Sequence, residues 1–122
     1  MQLSQVLIFS WLSFLLAFPP QQIKTITSAE AKAYAGQTVK VCGLVASVYQ
    51  PRKKLWRPSF INFEKKYPAT EFSALIWRAE RAAVGEVRHF VGQRICVTGE
   101  VYLYRGRAHM KLSAGKDLGT EN

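Results

Sequence analysis

Two stretches of the chain share one pattern: Gly36–Val45 reads GQTVKVCGLV, and Gly92–Val101 reads GQRICVTGEV. Each begins with Gly-Gln, continues with alternating apolar residues and carries a second glycine, Gly43 or Gly99, inside the run. Strict alternation is typical of a strand with one buried face, and a glycine within a strand is typical of a bulge or a sharp bend. Two long strands that bend at a glycine favour a small, strongly curled barrel.

One cysteine lies in each of these strands, Cys42 in the first and Cys96 in the second. The alternation places both on the less apolar faces of their strands. In an oxidising compartment an even pair of cysteines is more often bridged than free. If the strands are neighbours, we expect a Cys42–Cys96 disulfide that closes a loop of about 54 residues and is worth a few kcal/mol. Two cysteines without CxxC spacing or a histidine cluster do not form a zinc-binding pattern, and we expect neither metal nor cofactor.

The first 22 residues differ in composition from the rest of the chain. Residues 6–18 read VLIFSWLSFLLAF, which is as long as the apolar region of a signal peptide and shorter than the roughly 20 residues of a membrane span. No Lys or Arg precedes this run, and no small-x-small cleavage site separates it from Pro19 and Pro20. We expect an exported protein, periplasmic or secreted, in which residues 1–22 are a signal peptide or an uncleaved anchor that tethers the chain to a membrane.

Length and charge limit the class of protein. With 122 residues, 48% of them hydrophobic, the chain is long enough for one domain with its own core and too short for a multidomain enzyme. Lys and Arg number 17 against 8 Asp and Glu, which gives a formal charge of +9. A charge this large on a short chain indicates polyanionic partners, either nucleic acid or anionic lipid headgroups.

The remaining segments predict short elements around the two long strands. We expect a helix at 27–35, strands at 39–49, 60–63 and 72–77, a helix at 79–90, strands at 95–104 and 108–112, and a polar tail at 114–122. Three strands, a helix and two strands is the order of the OB-fold, a Greek-key barrel. The sequence therefore predicts an all-β domain at 23–113, a five-stranded OB-fold barrel with a short N-terminal helix and a helix between strands 3 and 4.

Further motifs lie between the two repeated strands and after them: Phe60-Ile61-Asn62-Phe63, Tyr67-Pro68, Ile76-Trp77 and Tyr104-Arg105-Gly106. In this order they resemble the exported bacterial OB-fold domains that accompany secreted nucleases and also occur alone. The resemblance covers residues 30–113 and implies a module that binds DNA or RNA. The chain departs from the family pattern at Glu64, where a glycine often ends the second strand, which leaves the shape of the following turn open.

Positive and aromatic residues alternate in the loops that an OB barrel uses for binding. Proteins that bind single strands combine a basic groove with aromatic platforms on which bases stack. The candidate nucleic-acid-binding residues are Tyr49, Arg52, Lys53, Lys54, Trp56 and Arg57 after the first strand, Lys65, Lys66 and Tyr67 after the second, Trp77 after the third, and Tyr104, Arg105 and Arg107 between the last two. The alternative is that the cations only aid solubility and the rings anchor loops on the core.

A catalytic role has little support in the sequence. The only aspartate, Asp117, lies in the expected tail, so the carboxylate cluster that metal-dependent cleavage of phosphodiesters needs is missing. His89 and His109 have no acidic or nucleophilic neighbour at a useful spacing. We expect a non-catalytic module for nucleic acid, single-stranded more than duplex. The alternative is an envelope OB-fold protein for a small ligand, an oligosaccharide or a partner protein, and the oligomeric state is not indicated.

Overall fold

The computed structural model describes residues 22–54 and 56–121, and the apolar run at 6–18, expected as a signal peptide or anchor, lies outside them. The strands are β1 Lys24–Thr27, β2 Thr38–Tyr49, β3 Ser59–Phe63, β4 Phe72–Ile76, β5 Arg94–Tyr104, β6 Arg107–Lys111 and β7 Leu118–Thr120. The helices are the 3-10 helices Ser28–Tyr34, Arg78–Glu80, Arg88–Phe90 and Gly115–Asp117 and the α-helix α1, Arg81–Val84. Within these ranges, no helix has the length and apolarity to cross a membrane.

Strands β2 to β6 close into a barrel. The pairs β2–β3, β3–β4, β5–β6 and β2–β5 are antiparallel, and β4–β6 is parallel. All five strands therefore have a neighbour on both sides, so the barrel itself has no open edge. This confirms the predicted all-β, five-stranded OB-fold barrel.

The interior of the barrel is a row of directly paired residues, one from each strand. In order around the barrel they are Val48, Ile61, Ala74, Met110 and Val101. All except the partly buried Val48 are fully buried. Burial of each larger side chain in this row, such as that of Ile61 or Met110, stabilises the fold by about 1.5–3 kcal/mol. Because successive side chains of a strand point to opposite faces, the residues next to this row face outward.

The repeated strands β2 and β5 bend as their glycines predict. Strand β2 pairs with β5 as far as Leu44 and then with β3. Strand β5 pairs with β2 as far as Glu100 and then with β6. A Cβ on Gly43 would lie 2.7 Å from the Glu64 Oε1 atom, and one on Gly99 would lie 3.0 Å from Met110 Cγ. A larger residue at either position would therefore force these neighbouring side chains to shift.

Glu64 follows β3, at the position where the OB-fold domains that the sequence resembles often have a glycine. Its backbone adopts φ 66, a left-handed conformation that is unfavourable for a residue with a Cβ. Its Oε1 atom accepts hydrogen bonds from the Ser28 hydroxyl and the Leu44 backbone N–H, both at 3.1 Å. These two bonds offset the strain, so the turn keeps the conformation that a glycine would adopt.

Cys42 and Cys96 face each other across the β2–β5 pair and form the expected disulfide. Their Cα atoms are 4.0 Å apart and they are separated by 54 residues of sequence. Both side chains are buried. The bridge therefore fastens the N-terminal part of the barrel to its C-terminal part.

Two predicted elements differ from the structure. The helix expected at 79–90 is present between β4 and β5 but is shorter, because Gly85 at φ 90 interrupts it and leaves α1 flanked by two 3-10 helices. The residues expected as a polar tail contain β7, which pairs with β5, and the Asp117 carboxylate accepts hydrogen bonds from two preceding backbone N–H groups. The tail is thus part of the fold, as is β1, which pairs with β2 in parallel and was not expected.

Candidate functional site

A polar row crosses the outer face of the barrel. In order around the strands it contains Ser47, Asn62, Ser73, His109 and Tyr102, each directly paired with the next. The Ser73 hydroxyl donates to Asn62 Oδ1 at 2.7 Å, and Asn62 Nδ2 donates to Ser47 Oγ at 3.1 Å. Asn62, Ser73 and His109 are buried although they point away from the core, so this row lies at the bottom of a depression.

The depression is a groove with a volume of about 810 Å³, which we call the outer groove. The strand register places aromatic residues on both sides of its polar floor. One flank carries Tyr49, Phe60 and Trp77 with Arg57 and Pro58, and the other carries Tyr67, Tyr104, Arg105 and Arg107. The outer groove therefore combines a polar floor with two flanks of rings and arginines.

Seven of the thirteen predicted site residues line the outer groove: Tyr49, Arg57, Tyr67, Trp77, Tyr104, Arg105 and Arg107. The other six have exposed side chains in the adjoining loops and do not line it: Arg52, Lys53, Lys54, Trp56, Lys65 and Lys66. The three loops thus converge on one face, and the groove takes the whole predicted cluster between β5 and β6 but only part of the clusters after β2 and β3.

Local contacts hold the two flanks in place. Arg81 Nη2 donates to the Arg57 carbonyl oxygen at 2.6 Å, which fastens the loop after β2 to α1. On the opposite flank, Arg107 Nη1 donates to the Pro68 carbonyl oxygen at 3.2 Å, and its guanidinium lies 4.8 Å from the centre of the Tyr67 ring. The groove-lining cations are therefore positioned by the fold.

The turn between β5 and β6 brings the last aromatic and basic residues to the groove. Arg105 has φ 52 and Gly106 has φ 77, the pair of positive values that defines a tight type I′ hairpin turn. The Arg105 guanidinium lies 5.3 Å from the centre of the Tyr104 ring. A ring and two arginines thus reach the groove from one short turn, as the sequence predicts.

Charge in the outer groove has one sign. Three arginines line it, whereas none of the eight Asp and Glu residues, all of which lie in the described ranges, does so. Four of the rings, those of Tyr49, Tyr67, Trp77 and Tyr104, are between 41% and 68% exposed. Exposed rings next to cations provide stacking surfaces for planar groups that carry negative charge.

The floor of the groove is neutral. His109 Nδ1 lies 3.0 Å from the Arg107 carbonyl oxygen, and because a carbonyl only accepts, this nitrogen carries the proton. Burial lowers the pKa of His109 and raises the pKa of Tyr102, so both are uncharged at neutral pH. The two rings stack at 25° with centres 5.7 Å apart.

Seven lining residues were missed by the sequence analysis: Pro58, Phe60, Asn62, Ser73, Leu75, Tyr102 and His109. Asn62 and Ser73 interrupt otherwise apolar strands, and that interruption is the signal that could have revealed them. Tyr102 is two residues from Tyr104 on one strand and so shares its face. In the described ranges, no group of three or more His, Cys, Asp and Glu side chains is arranged to hold a metal ion.

Comparison with known proteins gives structural matches alone, since no family model and no curated sequence matches the chain. An OBody bound to hen egg-white lysozyme is similar at a TM-score of 0.54 and 17% identity, over 87% of this chain and 99% of that one. A putative aspartyl-tRNA synthetase from Leishmania major Friedlin has a TM-score of 0.53 and 11% identity, over 87% of this chain. Asparaginyl-tRNA synthetase from Pyrococcus horikoshii has a TM-score of 0.52 and 17% identity, over 81% of this chain. The chain spans 22% and 23% of the two synthetase chains, and these likenesses establish the fold.

Proposed function

We propose that this chain is an exported OB-fold module that binds single-stranded nucleic acid in the outer groove and does not cleave it. The observation that carries the proposal is the meeting of arginines and exposed rings from three separate loops along one groove without an acidic lining residue. Arginine neutralises phosphates, and an exposed ring stacks on any base. Two similar structures are tRNA synthetases, and this adds support from the fold.

Single strands fit the outer groove better than a duplex does. In a duplex the faces of the bases are stacked on one another, so rings on a protein cannot reach them without unstacking. The groove offers exposed rings and arginines on both flanks and uncharged polar groups at its floor. Such an arrangement suits separated bases whose faces stack on the flanks and whose edges point to the floor.

A second candidate is a partner protein, an oligosaccharide or another small ligand in the same groove. One finding favours a protein: the similar OBody is bound to lysozyme and matches over almost its whole length. Aromatic rings also pack against sugars. Binding of this kind depends on apolar contact and hydrogen bonds, and it would depend little on salt.

The proposed function predicts binding of oligonucleotides that weakens with salt. If the three groove arginines neutralise three phosphates, the slope of log affinity against log salt is about −2 for a single strand, and affinity falls about 20-fold between 50 and 200 mM salt. Fluorescence anisotropy of labelled single-stranded DNA and RNA, with a duplex of equal length as control, measures this. The oligonucleotide should be recovered intact after incubation with Mg²⁺. Absence of binding at low salt, or binding that does not depend on salt, would contradict the proposal.

Export is a separate part of the proposal, supported by the apolar run at 6–18 and by the Cys42–Cys96 bridge, since disulfides persist in oxidising compartments. When the full chain is produced in a bacterial host, we expect it outside the cytoplasm and with oxidised cysteines. Fractionation followed by intact mass measurement, with and without reductant, tests this. A product without residues 1–22 indicates a cleaved signal peptide, and a full-length product in the membrane fraction indicates an anchor. Full-length protein with free thiols in the cytoplasm would contradict export.

A further inference from the structure

Asn62 has an unusual environment for a buried amide. It lies in the middle of the polar row, it is 4% exposed, and it lines the outer groove. A carboxamide has two N–H donors and two acceptor lone pairs. Ser47 and Ser73 take one donor and one acceptor. These hydroxyls come from the two neighbouring strands at the same register, so they hold the amide from both sides.

Among the described residues, these two bonds leave one N–H and one lone pair of the Asn62 amide without a partner, and Asn62 lines the outer groove. A polar group that loses contact with water is destabilised unless it finds a partner. The two serines fix the orientation of the amide, so a ligand that supplies a matching acceptor and donor meets a group already in position. Preorganisation of this kind favours binding because little rotamer freedom is lost.

Adenine supplies that match in two ways. An Asn amide forms a bidentate pair with its N6 amino group and N7. The N6 and N1 atoms on the other edge have the same order of donor and acceptor, so adenine pairs with the amide in either orientation. Guanine also offers two such pairs, O6 with N1–H and N3 with the N2 amino group, whereas cytosine and thymine have an adjacent donor and acceptor on one edge alone.

We propose that Asn62 is the specificity-determining residue of the outer groove and that it reads the edge of an unpaired purine, for which adenine serves as the probe. The inference rests on the proposed function, because it requires a single strand in the groove. The arginines supply affinity that is independent of sequence, whereas Asn62 supplies preference among bases. The two contributions are therefore separable by experiment.

Anisotropy titrations at one salt concentration, with labelled oligo(dA), oligo(dC) and oligo(dT) of equal length, test the inference. The unaltered protein is expected to bind oligo(dA) more tightly than the other two by a factor of about two or more, because each adenine offers two matching edges whereas cytosine and thymine offer one. Asn62→Asp keeps the shape of the side chain and removes its donor, and it should bring this ratio close to one without changing the slope against salt. Gln37→Ala, which removes an exposed amide outside the groove, is the matched control and should leave the ratio unchanged.

The outcomes separate the inference from the proposed function. If no oligonucleotide binds, the proposed function itself fails. If all three bind equally, or if the preference for oligo(dA) persists in a folded Asn62→Asp variant, the inference fails and the function stands. If the variant does not fold, as judged by circular dichroism, the unaltered protein still tests the inference. The Asn62 side-chain NH₂ resonances must shift with oligo(dA) and not with oligo(dT), and equal shifts would overturn the inference.

Discussion

Replacing Cys42 and Cys96 together with alanine is expected to lower the free energy of unfolding by about 4 kcal/mol, because the bridge closes a loop of 54 residues in the unfolded chain. A closed loop of this length has far fewer conformations than an open chain, so removing the bridge stabilises the unfolded state. The expected loss is a large part of the 5–15 kcal/mol that is typical of a whole domain. The double variant should therefore be marginally stable.

The position of the bridge in the barrel strengthens this expectation. The two cysteines are a directly opposed pair in the run that joins β2 to β5, from Thr38–Leu44 to Arg94–Glu100. The pairs β2–β5 and β4–β6 link segments far apart in the sequence, so the barrel closes through them. The bridge lowers the entropic cost of bringing these distant segments together.

Equilibrium unfolding in urea measures the effect. The midpoint of the double variant should fall, and the m-value should rise, because the unfolded chain without the bridge exposes more surface. The unaltered protein with reductant should unfold at a similar midpoint, which serves as a control for the substitution itself. A free energy of unfolding within about 1 kcal/mol of that of the oxidised protein would show that packing and strand pairing alone hold the barrel.

The barrel was predictable because its determining features are local. Alternation in Gly36–Val45 and Gly92–Val101 indicates two long strands, and Gly43 and Gly99 mark their bends. The helix expected at 79–90 is shorter than its apolar spacing indicates, because Gly85 at φ 90 ends α1 after one turn. Strands β1 and β7 are four and three residues long, too short for their own periodicity to be visible. They pair with residues 39–42 of β2 and 95–97 of β5, the parts of these strands that do not pair with β3 or β6 and so have one side free for a further strand.

The site was predictable at its flanks and not at its floor. Loops reveal their role through composition, so Arg57, Trp77 and Arg105 could be identified from the sequence. Asn62 and His109 lie on different strands, and only the register places them in one row. The role of a single polar residue inside an apolar strand cannot be inferred from its neighbours in the sequence, because it depends on which residues face it across the sheet.

Replacing Trp77 and Tyr104 together with alanine is expected to weaken binding of a single-stranded oligonucleotide by a factor on the order of a hundred or more. Each stacked ring contributes about 1–3 kcal/mol, and about 1.4 kcal/mol corresponds to a tenfold change in affinity. The two side chains are 41% and 57% exposed, so the variant should lose little stability. Anisotropy titrations measure the affinity, and thermal unfolding verifies the fold.

Trp56→Ala is the matched control. Trp56 is 67% exposed, it lies in the most densely basic loop of the chain, and it does not line the outer groove. The sequence alone favours Trp56 as a platform, whereas the structure favours Trp77. We expect Trp56→Ala to reduce affinity about threefold or less, because its ring does not line the groove.

The single variants complete the argument for the outer groove. Trp77 and Tyr104 lie on opposite flanks of the polar floor, so they are expected to stack on different bases. Losses at sites that do not share a partner add, so the free-energy change of the double variant should equal the sum of the two single changes. If Trp56→Ala weakens binding as much as Trp77→Ala, nucleic acid binds to the loop after β2 and the groove is not its site. If neither ring matters while the arginines do, the phosphate backbone is held and the bases point to solvent.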